Sequence, residues 1–298
     1  MARDDSDTTQ LIERIRSLSR PLAPRPTGHP TRLLRLAGIR AVVFDVYGTL
    51  FVSGSGDIGT AKAEVDALAL HRALRDVGVE GPGTPAEALL RPAIERDHAE
   101  LRARGVGYPE VDIVEIWRRV VAGLQGENRG TAPTTEQLRA LAVEYECLAN
   151  PIWPMPGLKE TLSGLSARGL AMGIVSNAQF FTPLLFPALL GADLEDLGLE
   201  PELCVWSYWL REAKPSARLF EELLARLRAH HGIVAGETLY VGNDRLNDIW
   251  PARELGLRTA LFAGDARSLR LREDDARCQD AEPDVVIDDL RQLLQIVA

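Results

Sequence analysis

The chain has 298 residues, 46% of them hydrophobic and 26% charged, the balance of a folded globular protein with one large domain carrying an insertion or two modest domains. Its 34 Lys and Arg against 43 Asp and Glu give a formal net charge of −9, with no basic excess to neutralise a nucleic-acid backbone. Cys147, Cys204 and Cys278 show no disulfide or metal-ligand spacing, no apolar run approaches the ~20 residues of a membrane span, and no secretory pattern opens the chain. The expectation is a cytoplasmic protein without nucleic-acid or membrane partners.

In chain order, residues 1–38 stand apart. The stretch L-I-E-R-I-R-S-L predicts a short amphipathic helix, and R-P-L-A-P-R-P-T-G-H-P after it sets prolines and a glycine between arginines. This segment is expected to be a loosely ordered, solvated arm packing partly on the rest. Asp4, Asp5, Asp7 and Glu13 argue against a transit peptide.

From Ile39 onward short apolar runs predict strands: R-A-V-V-F-D, L-A-M-G-I-V-S-N, L-C-V-W-S, T-L-Y-V-G-N-D, T-A-L-F-A-G and D-V-V-I. Continuous rather than alternating apolar character means strands covered on both faces. Helical patterns such as L-K-E-T-L-S-G-L-S-A-R-G and S-A-R-L-F-E-E-L-L-A-R-L-R lie between most of them. Strand and helix in alternation predict an α/β fold, a doubly wound parallel sheet whose ligands bind at the carboxyl ends of the strands.

Residues 60–150 break that rhythm with helices only. In V-D-I-V-E-I-W-R-R-V-V-A-G-L, Ile113, Val114, Trp117, Val120, Val121 and Leu124 share one face. The block is expected to be an inserted helical cap, with 39–59 and 151–298 forming the core. Pro151, Pro154 and Pro156 mark the return.

Polar groups collect just after the strands: Asp45 with Gly48 and Thr49; Ser176 and Asn177; Lys214; and Asn243, Asp244, Asn247 and Asp248. Singly, each is ordinary turn or cap chemistry. Together, on this scaffold, they outline one ligand site.

With D-V-Y-G-T-L, V-S-N, K-P and G-N-D-R-L-N-D in that order, residues 39 to the end resemble the haloacid dehalogenase superfamily of hydrolases. W-P-M-P-G-L-K-E-T-L is similar to that superfamily's return from the cap. The resemblance implies hydrolysis of a small anionic substrate through an ester or phosphate formed on Asp45. Lys214 would neutralise charge and Asp248 would hold Lys214. Thr49, Ser176 and Asn177 would bind substrate oxygens. The glycine-rich F-V-S-G-S-G-D-I-G would be a flap over the site.

Phosphatases of the superfamily usually carry a second Asp, the general acid, where this chain has Tyr47. Tyrosine there resembles the metal-independent 2-haloacid dehalogenases, whose halide leaves without a proton. Against that branch, Phe220 stands where those enzymes carry tyrosine and Asn243 where they carry serine; Arg75 is the one candidate, by distance, for their cap arginine. A Mg²⁺-assisted phosphomonoester hydrolase would hold its ion with Asp45, the Tyr47 carbonyl, and Asn243 or Asp244; a dehalogenase-like enzyme would need no metal. The first is favoured, the second is the alternative, and a non-catalytic binding protein is the third reading. A monomer or homodimer fits each. His230 and His231 are expected to cap a helix, and Trp206, Tyr208 and Trp209 to lie in core or interface.

Overall fold

The computed structural model describes residues 2–55, 67–79, 86–125 and 132–297. Eight strands are found there: β1 (Ala41–Phe44), β2 (Phe51–Ser53), β3 (Ile152–Pro154), β4 (Ala171–Ser176), β5 (Cys204–Trp206), β6 (Thr238–Gly242), β7 (Arg258–Phe262) and β8 (Val285–Ile287). Six of them form one parallel sheet in the order β5-β4-β1-β6-β7-β8. Every residue of β1, β4, β5 and β6 is buried, as continuous apolar runs require. Ala41 pairs with Ala171 on one side and Thr238 on the other. The chain leaves β1 toward one edge through β4 and β5, then returns to β6 and fills the other. That reversal puts the crevice beside the carboxyl end of β1. β2 and β3 form a separate antiparallel pair where the chain leaves and re-enters the sheet domain.

Twelve α-helical segments accompany the strands: α1 (Ala2–Leu18), α2 (Ala67–Asp76), α3 (Glu87–Ala103), α4 (Ile113–Gln125), α5 (Thr135–Ala149), α6 (Leu158–Ser166), α7 (Leu185–Leu190), α8 (Ser207–Leu210), α9 (Arg218–His231), α10 (Trp250–Glu254), α11 (Ala276–Gln279) and α12 (Leu293–Ile296). Helices α2–α5 make up the described part of the block between β2 and β3. In α4 the apolar stripe buries Ile116, Trp117, Val120, Val121 and Leu124, whereas Ile113 and Val114 at its start are half-buried. Thr134 and Gln137 close a capping box at the start of α5. Trp117 meets Tyr145 of that helix edge-on at 5.3 Å.

The expectation of a loose arm is not met by the described residues of 1–38. Helix α1 buries Leu11 and Ile15. Arg14 of that helix pairs with Glu144 of α5 at 2.6 Å. The extended segment that follows pairs Arg32 with Val286 and covers the open edge at β8. Proline content forbade a helix there but not a fixed extended path.

Candidate active site

The apolar strand β1 carries Asp45 out of the sheet, and its backbone N–H still donates to Val241 of β6 at 2.9 Å. The chain then turns at Gly48, whose φ of +83° suits glycine and whose missing Cβ leaves room for Ser268; a methyl there would lie 2.4 Å from the Ser268 Cβ. On β6, Gly242 has the same office. A Cβ would fall 2.4 Å from the Asp248 Cγ, so glycine lets that carboxylate fold back under the strand end.

Lys214 joins the two carboxylates. Its Nζ lies 2.7 Å from Asp45 Oδ1 and 2.5 Å from Asp248 Oδ1. All three side chains are almost wholly buried, at 3% exposure for Lys214, 8% for Asp45 and 2% for Asp248. Ser176 at the end of β4 donates to the same Asp45 oxygen at 3.0 Å. Asp248 accepts the Asp244 N–H on its other oxygen at 2.9 Å. Burial opposes charge on Lys214, but Asp248 and Asp45 more than offset it and hold the ammonium pKa above its usual value. Burial also pushes Asp248 up to about 6, helped by the charges of Asp45 and Asp244 and opposed by Lys214.

Asp45, Ser176, Lys214 and Asp248 are therefore brought together. Asn177 lies beside them in a different role: its Oδ1 accepts the Lys214 N–H at 2.7 Å and its Nδ2 reaches the Lys214 carbonyl at 3.4 Å. It stitches the lysine loop to β4. Thr49 donates to Asn243 Oδ1 at 3.0 Å, and Asn243 Nδ2 donates to the Ser268 carbonyl at 2.6 Å. Asp244 caps the turn that follows by accepting from Leu246 and Asn247, and pairs with Arg272 at 2.6 Å.

Tyr47 stands two residues past Asp45 and is buried. Its hydroxyl sits 2.9 Å from Thr182 Oγ1, and burial beside Glu146 of α5 raises the phenol well above its usual pKa of 10.0. Arg75 lies exposed at the end of α2 beside Asp76. His231 pairs with Glu200 at 2.7 Å in the last turn of α9. Trp206 is core, Tyr208 half-buried and Trp209 exposed. Of the flap, residues 51–55 are described and 56–59 lie outside the described residues.

Tyr240 belongs to the site and was missed. Its hydroxyl donates to the Val175 carbonyl at 2.7 Å and lies 3.1 Å from both Lys214 Nζ and Asp248 Oδ1. Phe220, at the position where a tyrosine was sought, instead packs edge-on against the Tyr240 ring at 4.9 Å.

A hard divalent cation needs about six oxygen donors, several of them anionic. Here the Asn243 oxygen is taken by Thr49, the Asp244 carboxylate by Arg272 and two amides, and Asp45 Oδ1 by Lys214 and Ser176. Among the described residues no group of three or more His, Cys, Asp or Glu could hold a metal. As arranged, two of the four expected donors, Asn243 and Asp244, are turned to other partners and do not fit a Mg²⁺ site.

An open parallel sheet with a carboxylate–ammonium–carboxylate cluster at its switch point defines the class. Residues 39–256 match the model of the haloacid dehalogenase-like hydrolase family, and the chain belongs to that family of hydrolases. Phosphoglycolate phosphatase of Salmonella choleraesuis (strain SC-B67) is 26% identical over 273 residues, spanning 87% of this chain and 93% of that protein. The enzyme of the same name from Pseudomonas fluorescens (strain Pf0-1) is 27% identical over 263 residues, 86% of this chain and 78% of its own. The crystal structure of 2-haloacid dehalogenase from Pseudomonas syringae pv. Tomato DC3000 shares the fold, with a TM-score of 0.54, 22% identity, and 86% and 97% of the two chains covered.

Proposed function

We propose that this hydrolase acts on small anionic phosphomonoesters through a covalent intermediate on Asp45. The observation that carries the reading is the Lys214 ammonium shared between Asp45 and Asp248. With Oδ1 held by Lys214 and Ser176, the second oxygen of Asp45 is the one left to attack phosphorus. Lys214 balances the charge that the substrate brings, and Asp248 and Tyr240 keep it in place. Both Asp248 oxygens are engaged, so its role is to position the lysine. Relatives named as phosphatases, aligned over most of their length and of this chain, support phosphate as the group transferred. Helices α2–α5 act in this reading as a cap that excludes water and selects the substrate, with residues 39–59 and 151–298 as the catalytic core. Because Asn243 and Asp244 are engaged by other partners, no step is assigned to Mg²⁺.

Tyr47 favours a second reading, displacement of halide from a 2-haloacid, because carboxylate attack on carbon releases halide without a proton. The test is phosphate release from a panel of phosphomonoesters, with Mg²⁺ and with chelator, beside halide release from 2-haloacids. Phosphate release that survives chelation and drops to background in Asp45→Asn is the expected result. Halide release alone establishes the second reading. Turnover retained by Asp45→Asn removes the covalent step.

A further inference from the structure

This inference rests on the phosphatase reading and concerns which esters the site takes. Cleaving the ester of an ordinary alcohol expels an alkoxide about as basic as hydroxide, so a side chain must hand the leaving oxygen a proton. The residue in place for that task is Tyr47, a phenol where a carboxylic acid would serve, and its hydroxyl is engaged elsewhere. The side chain is 5% exposed, with its hydroxyl 2.9 Å from Thr182 Oγ1. Thr182 Oγ1 in turn accepts the Gln179 N–H at 3.1 Å. The Gln179 side chain is fixed against the inserted block, donating to the Val111 carbonyl and accepting the Ile113 N–H, each at 3.0 Å. Tyr47 is thus tied through Thr182 and Gln179 to the segment that leads into α4.

The other protons around Asp45 are committed as well. Ser176 donates to Asp45 itself, Thr49 to Asn243 and Tyr240 to the Val175 carbonyl. Lys214 is gripped by two carboxylates. Among the described residues, the side-chain partners of Asp45 are Ser176 and Lys214.

We infer that the site takes phosphates whose leaving group departs as a stable anion, namely aryl, enol and acyl phosphates, and discriminates against alkyl phosphates. In the first step an Asp45 oxygen bonds to phosphorus, and the bond from phosphorus to the leaving oxygen breaks. The electron pair goes with the phenolate, enolate or carboxylate, and no proton moves. In the second step water bonds to phosphorus, the Asp45–phosphorus bond breaks with its pair returned to the carboxylate, and the water proton passes to solvent. Phosphoglycolate, an alkyl phosphate, becomes a poor substrate even though relatives are named for it.

The experiment measures kcat/KM for acetyl phosphate, a series of substituted phenyl phosphates, and the alkyl esters 2-phosphoglycolate and glycerol phosphate, using the full-length protein. The expected result is a steep fall with leaving-group basicity. Alkyl esters should lie at least about 100-fold below 4-nitrophenyl phosphate, the low end of what a general acid supplies. Tyr47→Asp should narrow that gap at least about ten-fold. The series on the unaltered protein decides the matter alone if that variant does not fold. Alkyl esters within ten-fold of 4-nitrophenyl phosphate overturn the inference while leaving a phosphatase. Release from none of the series, 4-nitrophenyl phosphate included, overturns both.

Discussion

Tyr240 stands mid-strand in T-L-Y-V-G, a run that reads as core and nothing more. Its ring is core: buried, and edge-on against Phe220. Its hydroxyl is not, because β6 lies beside β1 and the phenol reaches across to the lysine from the next loop. Nothing in the one-dimensional pattern carries that distance. Asp45 and Ser176 were legible because each ends an apolar run, Lys214 and Asp248 because each lies in the connection that follows one, and the fold gathers strand ends at one place. Asn177 ends a run too, yet its amide serves the lysine backbone, a distinction set by a 37-residue separation that closes only in the folded chain. Tyr240→Phe keeps the ring stack and removes the hydroxyl. The Val175 carbonyl then loses a buried donor, which costs about 1–3 kcal/mol and shows as a lower unfolding midpoint. Lys214 is held less firmly, so kcat should fall on the order of ten-fold with KM little changed, a difference measured with 4-nitrophenyl phosphate.

Helix α1 shows what an element-level reading gains and loses. Its amphipathic spacing was plain, since Leu11 and Ile15 lie one turn apart. Its partners were not. Arg14 finds Glu144, Asp7 finds Arg139 at 2.9 Å, and Arg16 donates to the carbonyls of Pro187 and Ala188 at 3.1 Å. The helix therefore touches α5 of the inserted block and α7 of the sheet domain. Composition registers an arm's prolines and charges, but burial depends on a surface assembled from residues more than a hundred positions away. Ile15→Ala deletes a side chain that is 1% exposed, so it should cost about 2–4 kcal/mol in denaturant unfolding. An arm lying in solvent would give no measurable change.

At the scale of the whole molecule, alternating strands and helices made the layered sheet legible, and the described residues between β2 and β3 hold helices only, as the sequence pattern there reads. The seam between them was hidden, because it is made of pairings between distant loops. Tyr108 accepts the Ala213 N–H at 2.8 Å, and Glu110 exchanges backbone and side-chain bonds with Arg211 at 3.1 and 3.0 Å. Arg211 also pairs with Asp97 of α3, which in turn holds Arg119 of α4 at 3.3 Å. At the centre the Glu110 carboxylate accepts from Ser207 at 2.7 Å, Val111 at 3.0 Å and Gln179 at 3.2 Å. Ser207 meanwhile accepts the Ala178 N–H at 2.8 Å, two residues past Ser176, so this junction ties the connections after β4 and β5 to the segment that leads into α4.

Burial pushes Glu110 up to about 7, against the ordinary 4.5, although Ser207, Val111, Arg211 and Gln179 all favour its charged form. The folded protein thus binds more protons at this site than the unfolded chain between those two values. Stability falls as pH rises from about 4.5 through 7, and the cost is complete above 7. Its size is on the order of 2 kcal/mol after allowing for partial exposure. Glu110→Gln removes the titration while keeping an acceptor for Ser207. The fall in unfolding free energy between pH 5 and 8, measured by urea titration, should shrink by about that amount relative to the unaltered chain. An unchanged pH slope would mean that Glu110 is already charged at pH 5 and that the seam is held by an ordinary carboxylate.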